Sequence, residues 1–189
     1  KRLYVHDSIY DEVVDELATI ANDTIIGDGL EQGTKLGPLQ NKMQYEKVKE
    51  LIESARQDGN IVAGGEVPDQ SGYFIRPTIV RDVTEGSRIV DEEQFGPVLP
   101  VIRFSDESDA IARANNSDYG LGGSVWSSDL DRAYDVANQM NTGTVWINKH
   151  AELDPGIPFG GSKQSGLGNE LGMEGLKEFT QLKMINMAR

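Results

Sequence analysis

The sequence predicts an α/β fold. Short apolar runs with strand-like alternation take turns with segments whose apolar residues recur at helical spacing, and glycine or proline clusters punctuate the two. At 189 residues the chain is long enough to bury a sizeable core and too short for two full domains.

Leu3 to His6 alternates as a strand does, and Asp7-Ser8 offers an N-cap to a helix marked by Ile9, Val13, Leu17 and Ile20. Asn22 to Gln40 carries Gly27, Gly29, Gly33, Gly37 and Pro38 with almost no periodicity, so it reads as an exposed connection. Val48, Leu51, Ile52 and Ala55 form the apolar face of the next helix, charged residues cover its other faces, and Gly59 is placed to end it. Ile61 to Ala63 with Gly64-Gly65 is a short strand and turn. Tyr73 to Val80 reads as a longer strand, and Pro77 within it argues for an edge or a bulge. Asp82 to Arg88 is a polar stretch, Asp91 to Pro97 a loop by composition, and Val98 to Phe104 a buried strand.

The second half alternates plainly. Ser105/Asp106 caps a helix through Ala110, Ile111 and Ala114, and Leu121 to Ser127 is a strand. Leu130, Ala133, Val136, Ala137 and Met140 form a helix closed by Gly143, and Thr144 to Asn148 is a strand. From Lys149 to Asn169 periodicity vanishes, and a stretch of that length inside a compact domain is read as a functional loop. Gly160, Gly161, Gly166 and Gly168 would supply positive φ and close backbone approach there. A short helix from Glu170 to Phe179 and a last strand, Gln181 to Met187, complete the chain.

The charge balance narrows the partners. Lys and Arg number 18 against 31 Asp and Glu, a formal charge of −13, which repels phosphate backbones and anionic lipid. Neither nucleic acid nor a membrane is expected as a partner; a small ligand or soluble protein is. With no cysteine, disulfides, thiolate metal sites and a cysteine nucleophile are excluded within this stretch. No apolar run approaches the roughly 20 residues of a spanning helix, so a cytoplasmic location is the default. The chain opens without Met, directly on a strand, which suggests a piece of something longer.

Several local patterns point to chemistry and then fall short of it. Gly156 to Gly161 has the spacing of a phosphate loop, but Lys163 comes one place late and no strand feeds it. Gly27-x-Gly29 and Gly166-x-Gly168 also lack a preceding strand and read as turn glycines. His6 and His150 lie far apart without spaced carboxylates or cysteines, so no metal is expected. Glu92 and Glu93 are adjacent and point apart in an extended loop, which lets at most one of them face a site.

Order and combination say more. Glu92-Glu93-Gln94-Phe95-Gly96-Pro97-Val98 resembles the E-E-x-F-G-P-V segment of the aldehyde dehydrogenase superfamily. Thr144-Val145-Trp146-Ile147-Asn148, a gap of nine residues, and then Pro158-Phe159-Gly160-Gly161-Ser162-Lys163-Gln164-Ser165-Gly166-Leu167-Gly168 are similar to its G-T-V-W-x-N and P-F-G-G-x-K-x-S-G-x-G signatures. Gly37-Pro38, Gly72 to Thr78 and Ala114 to Leu121 extend the resemblance over nearly the whole chain.

The resemblance implies an open, mostly parallel α/β sheet flanked by helices in a Rossmann-like layout. Residues 1–189 would then be one catalytic domain truncated at its N-terminus, with the cofactor-binding domain absent. Family members oxidise aldehydes to carboxylic acids with NAD or NADP. A cysteine thiolate forms a thiohemiacetal, and after hydride transfer a glutamate-activated water hydrolyses the thioester. The G-Q-x-C segment with that cysteine lies just before the strand matching Arg2 to Val5, so the nucleophile and the general-base glutamate are expected ahead of Lys1, and the chain alone is expected to be inactive.

By the same resemblance Glu93 would accept hydrogen bonds from the nicotinamide-side ribose and Phe95 would pack beside the nicotinamide. Gln44 and Lys47 match positions that reach the cofactor ribose, and Phe159, Lys149 and Leu153 would line the aldehyde entrance. The implied partners are an aldehyde, the chain's own N-terminal cofactor domain, and further copies in a dimer or tetramer; an isolated copy should expose apolar surface and self-associate. A non-catalytic structural or binding relative, and a CoA-acylating or acyl-phosphate-reducing relative, are the competing readings. The sequence chooses neither between NAD and NADP nor among aldehydes.

Overall fold

Leu3 to His6 forms the first strand, β1 (Leu3–His6). In the computed structural model, which describes residues 1–188, Asp7–Ile9 is a 3-10 turn and the first helix, α1, begins only at Tyr10 (Tyr10–Asp23). His6 caps that turn by accepting from the Ser8 amide, in place of the N-cap expected at Asp7-Ser8. Next come α2 (Lys42–Asp58), β2 (Asn60–Ala63), β3 (Thr78–Arg81), α3 (Arg88–Asp91) and β4 (Val98–Phe104). The chain divides into two compact units, Lys1–Ala110 and the remainder from Ile111.

The first unit is built on a four-stranded sheet in the order β1-β4-β3-β2. β4 runs parallel to both neighbours, with Leu3 opposite Val101 and Thr78 opposite Val98, and only β2 is antiparallel, with a register shift between Ile61 and Ala63. A parallel strand covered on both faces is apolar nearly throughout, which is why Val98 to Phe104 has no polar alternation. Its side chains serve two cores: Val98 and Ile102 join Val48, Leu51, Ile52 and Ala55 of α2, while Val101 joins Tyr10 and Val14 of α1.

Three expectations change here. The strand foreseen from Tyr73 to Val80 starts after Pro77, and it is interior, paired on both sides. The proline's missing N–H falls one residue ahead of the ladder, where it costs no sheet bond. Ile75, although outside the strand, is buried in the core. Between the polar stretch Asp82 to Arg88 and the loop from Asp91 lies α3, which was not expected and whose Ile89 and Val90 are buried; two apolar residues among charges give too little periodicity to read.

In the second unit, α4 (Glu107–Asn115) having crossed from the first, β5 (Tyr119–Gly120) pairs antiparallel with β8 (Ser162–Lys163), and β6 (Gly122–Val125) pairs parallel with β7 (Thr144–Ile147). The strand expected over Leu121 to Ser127 is β6, shorter at both ends, and β5 ahead of it was not expected. α5 (Leu130–Gln139) connects β6 to β7, with Asp129 accepting from the Arg132 amide as N-cap. Its C-cap is Met140, so Gly143 does not close it; a Cβ on Gly143 would stand 1.7 Å from the Gly160 carbonyl oxygen, and close backbone approach is what requires glycine there. α6 (Gly172–Glu178) matches its expectation. The strand expected from Gln181 to Met187 is absent, because no described strand pairs with it, and Leu182, Met184, Ile185 and Met187 are exposed. No helix among the described residues is long and apolar enough to cross a membrane.

Tyr10 links three elements of the first sheet. It is fully buried; its hydroxyl donates to the Val101 carbonyl at 2.9 Å and accepts from the Asp82 amide at 3.0 Å. Arg103 lies 3.9 Å from its ring centroid, and Asp11 receives both Arg81 at 2.5 Å and Arg103 at 3.3 Å. Tyr10→Phe keeps the ring and the cation contact but removes the bonds to the buried Val101 carbonyl and the part-buried Asp82 amide. It is expected to lower unfolding stability by about 1–3 kcal/mol, read as a lower urea midpoint at unchanged slope.

Candidate functional site

The loop from Glu92 to Pro97 enters the buried strand β4, and its backbone is held by side chains. From the first turns of α2, Gln44 donates through Nε2 to the Gln94 carbonyl at 2.6 Å, and Lys47 donates through Nζ to the Glu93 carbonyl at 2.8 Å. Asn41 caps that helix by accepting from the Gln44 amide at 2.9 Å, which fixes where Gln44 stands. Lys1 Nζ donates to the Gly96 carbonyl, and the Thr78 amide donates to the Pro97 carbonyl at 2.8 Å. Gly96 itself lies against α2, where a Cβ would come within 2.5 Å of Val48.

Glu92 and Glu93 part as adjacent residues of an extended loop must. Glu92 turns back on α3, meeting Arg88 at 2.5 and 3.3 Å, and the guanidinium holds its carboxyl below the usual carboxylate range. Glu93 is half-buried, and among the described residues its carboxylate takes no hydrogen bond and no ion pair from another side chain. Phe95 is 71% exposed with φ of +45°, a left-handed backbone that turns its ring outward. Between them Gln94 is wholly buried. Four sequence-predicted residues, Gln44, Lys47, Glu93 and Phe95, are thus brought to one place. Gln44 and Lys47 spend their donors on loop carbonyls.

The other three lie in the second unit, on the loop after β7. Lys149 is exposed and pairs with Glu152 at 3.2 Å, and Leu153 is 52% exposed. Phe159 is half-buried with its ring 6.4 Å from Trp146, and its backbone exchanges two 2.7 Å hydrogen bonds with Glu170. Trp146 donates to the Glu152 carbonyl at 2.9 Å and meets the His150 ring edge-on at 5.5 Å, so the loop is anchored on a buried indole. Of its glycines, Gly166 and Gly168 have positive φ as expected. Gly160 and Gly161 do not; they serve close approach instead, a Cβ on Gly160 falling 2.6 Å from the Gly168 carbonyl oxygen.

Two residues escaped the sequence reading. Asn148, with φ of +53°, accepts from the Ser127 amide at 2.9 Å and donates to its carbonyl at 2.8 Å, a two-point clamp on the end of β6. A polar residue able to adopt positive φ at the end of an apolar strand was the available signal. Gln94 carried no signal, since nothing local distinguishes a buried glutamine in a charged loop from an exposed one. No group of three or more His, Cys, Asp or Glu among the described residues could hold a metal.

The fold and the tethered loop define an α/β protein that presents a free carboxylate beside an exposed aromatic ring. The family model described as "Aldehyde dehydrogenase family" matches residues 1–185. The chain is 45% identical over 186 residues to succinate-semialdehyde dehydrogenase [NADP(+)] of Deinococcus radiodurans, covering 98% of this chain and 39% of that protein. It is 42% identical over 187 residues to aldehyde dehydrogenase 1A1 of Bos taurus, covering 98% and 37%. The NAD+ complex of an aldehyde dehydrogenase from Bacillus cereus superposes with a TM-score of 0.93 at 44% identity, over 96% of this chain and 37% of that one. The chain belongs to the aldehyde dehydrogenase family, and it spans less than two-fifths of the length of these relatives.

The Arg88 pair makes a pH prediction. Because the folded Glu92 carboxyl titrates below its unfolded value, the pair stabilises the loop above the ordinary carboxylate range, and the contribution is lost as pH falls through the folded value. Glu92→Gln should therefore be less stable than the parent at neutral pH, and the two denaturation midpoints should converge as pH falls below the ordinary carboxylate range.

Proposed function

We propose that the complete protein oxidises an aldehyde to a carboxylic acid with NAD or NADP, and that this chain is the C-terminal part of its catalytic domain. In this reading the nucleophilic cysteine, which would carry the thiohemiacetal and thioester, and the general-base glutamate precede residue 1, as does the domain that holds most of the cofactor. The chain by itself is inactive.

The observation that carries the reading is the state of Glu93 and Phe95 on one tethered loop. A half-buried carboxylate that accepts no hydrogen bond from another side chain suits a pair of hydroxyls, to which an ionised acceptor makes short, strong hydrogen bonds. An exposed aromatic face beside it suits a planar ring. These residues fit the nicotinamide ribose and the nicotinamide, and the cofactor when bound accepts hydride from the substrate. Glu93 orients the ribose, Phe95 limits where the ring can lie, and Gln44 and Lys47 act through the loop carbonyls they hold. Phe159, Leu153 and Lys149 line the aldehyde entrance. The partners are the cofactor domain of the same protein and a second copy, and the location is cytoplasmic. A side chain kept free of structural work favours the enzyme over a non-catalytic relative.

Two experiments test this. In the complete enzyme Glu93→Gln keeps the shape and removes the charge, so single-turnover NADH formation should slow about tenfold while the thermal midpoint stays put. An unaltered single-turnover rate refutes the role. For the 189-residue chain alone, whose Leu182, Met184, Ile185 and Met187 are exposed, sedimentation should show concentration-dependent self-association. A sharp monomer at high concentration counts against the proposed partners.

A further inference from the structure

We propose that Gln94 is a positioning residue whose buried side-chain amide holds Glu93 and Phe95 in their outward orientation; this rests on the cofactor reading of that loop. Gln94 and Thr78 are the buried polar residues among those described, and Gln94 is 0% exposed. Its Nε2 donates to the Ile89 carbonyl in α3, and its Oε1 accepts from the Lys1 amino-terminal nitrogen at 2.8 Å. One amide thus satisfies a helix-end carbonyl and ties the loop to the entry of β1. Residues 93 and 94 take opposite sides of the loop, so drawing residue 94 inward turns Glu93 outward, and the left-handed backbone at Phe95 then directs the next side chain outward as well. Gln44 and Lys47 grip only backbone oxygens of this loop. They fix where the loop runs and leave open which way its side chains face.

The chemistry requires an amide. Glutamine offers a donor and an acceptor from one planar group, glutamate in its ionised form offers acceptors only, and methionine offers neither to any useful degree. Either replacement leaves a buried backbone group unpaired, and the loop can relieve that by rotating residue 94 toward water, which swings Glu93 and Phe95 away.

The test uses the complete enzyme, with NAD or NADP, whichever it turns over, as the probe. Gln94→Met should raise the cofactor KM about tenfold and lower kcat, with the aldehyde KM unchanged within about twofold. Gln94→Glu has nearly the same volume but loses the donor toward Ile89 and sets a buried charge against that carbonyl; it should raise the cofactor KM at least as much as Met. Unchanged cofactor KM in both variants, or equal rises in cofactor and aldehyde KM, overturns the proposal. Failure of both to fold assigns the amide to stability alone and also overturns it. Glu93→Gln and Phe95→Leu run in parallel separate the two layers. If they leave the cofactor KM unaltered, the cofactor reading of the loop fails; if they raise it and the Gln94 variants do not, only the Gln94 proposal falls.

Discussion

β4 is covered on both faces, and the loop that leads into it must therefore descend from the surface into a region without water. Backbone carbonyls on such a path need donors, since an unpaired buried carbonyl costs as much as a lost hydrogen bond. The strand beside it supplies one, the Thr78 amide to the Pro97 carbonyl. Side chains supply the Glu93, Gln94 and Gly96 carbonyls: Gln44 and Lys47 from α2 and Lys1 from the start of the chain, while the Gln94 amide turns back to serve the Ile89 carbonyl of α3. The fold's most buried strand thus dictates where polar side chains of distant segments must be spent.

That demand shapes the site. A loop held by side chains from α2, α3 and the entry of β1 is rigid enough to present a carboxylate and an aromatic ring in fixed directions, and Gly96 lets it lie directly on Val48. The roles of the residues follow from what they hold. Gln44 and Lys47, expected to reach a ligand, grip the loop, while Glu93 and Phe95 face away from it. The aromatic anchor in the second unit follows the same economy. Trp146 is buried and holds the Glu152 carbonyl, which leaves Leu153 exposed and Phe159 half-buried on the loop beyond β7.

Legibility in the sequence followed the range of the interaction. Elements set by local periodicity were readable: β4 from its unbroken apolar run, α2 from Val48, Leu51, Ile52 and Ala55, and α5 from Leu130, Ala133, Val136 and Ala137. The family resemblance picked out the loop at 92–97 because its signature is contiguous. What needed partners far along the chain was not readable. Gln94 is defined by Ile89 and Lys1, Gly143 by the carbonyl of Gly160, and the missing strand at 181–187 by the absence of any described strand to pair with. Pro77 misled for the same reason: its effect depends on whether it falls within the ladder or one residue ahead of it.

The charge pattern around the loop explains why Glu93 in particular is free. In a chain of formal charge −13, cations are scarce, and several of those in the first unit are used by a neighbour: Arg88 by Glu92, Arg81 by Asp11 and Asp82, Lys49 by Glu46, Arg56 by Glu53. Lys47 sends its ammonium to the Glu93 carbonyl, 2.8 Å away, and leaves the carboxylate of the same residue without a side-chain hydrogen bond. An ion pair there would have closed the acceptor. Directing the lysine to the backbone fixes the residue while leaving its carboxylate open, an arrangement with a cost in the apo protein that ligand hydroxyls would offset.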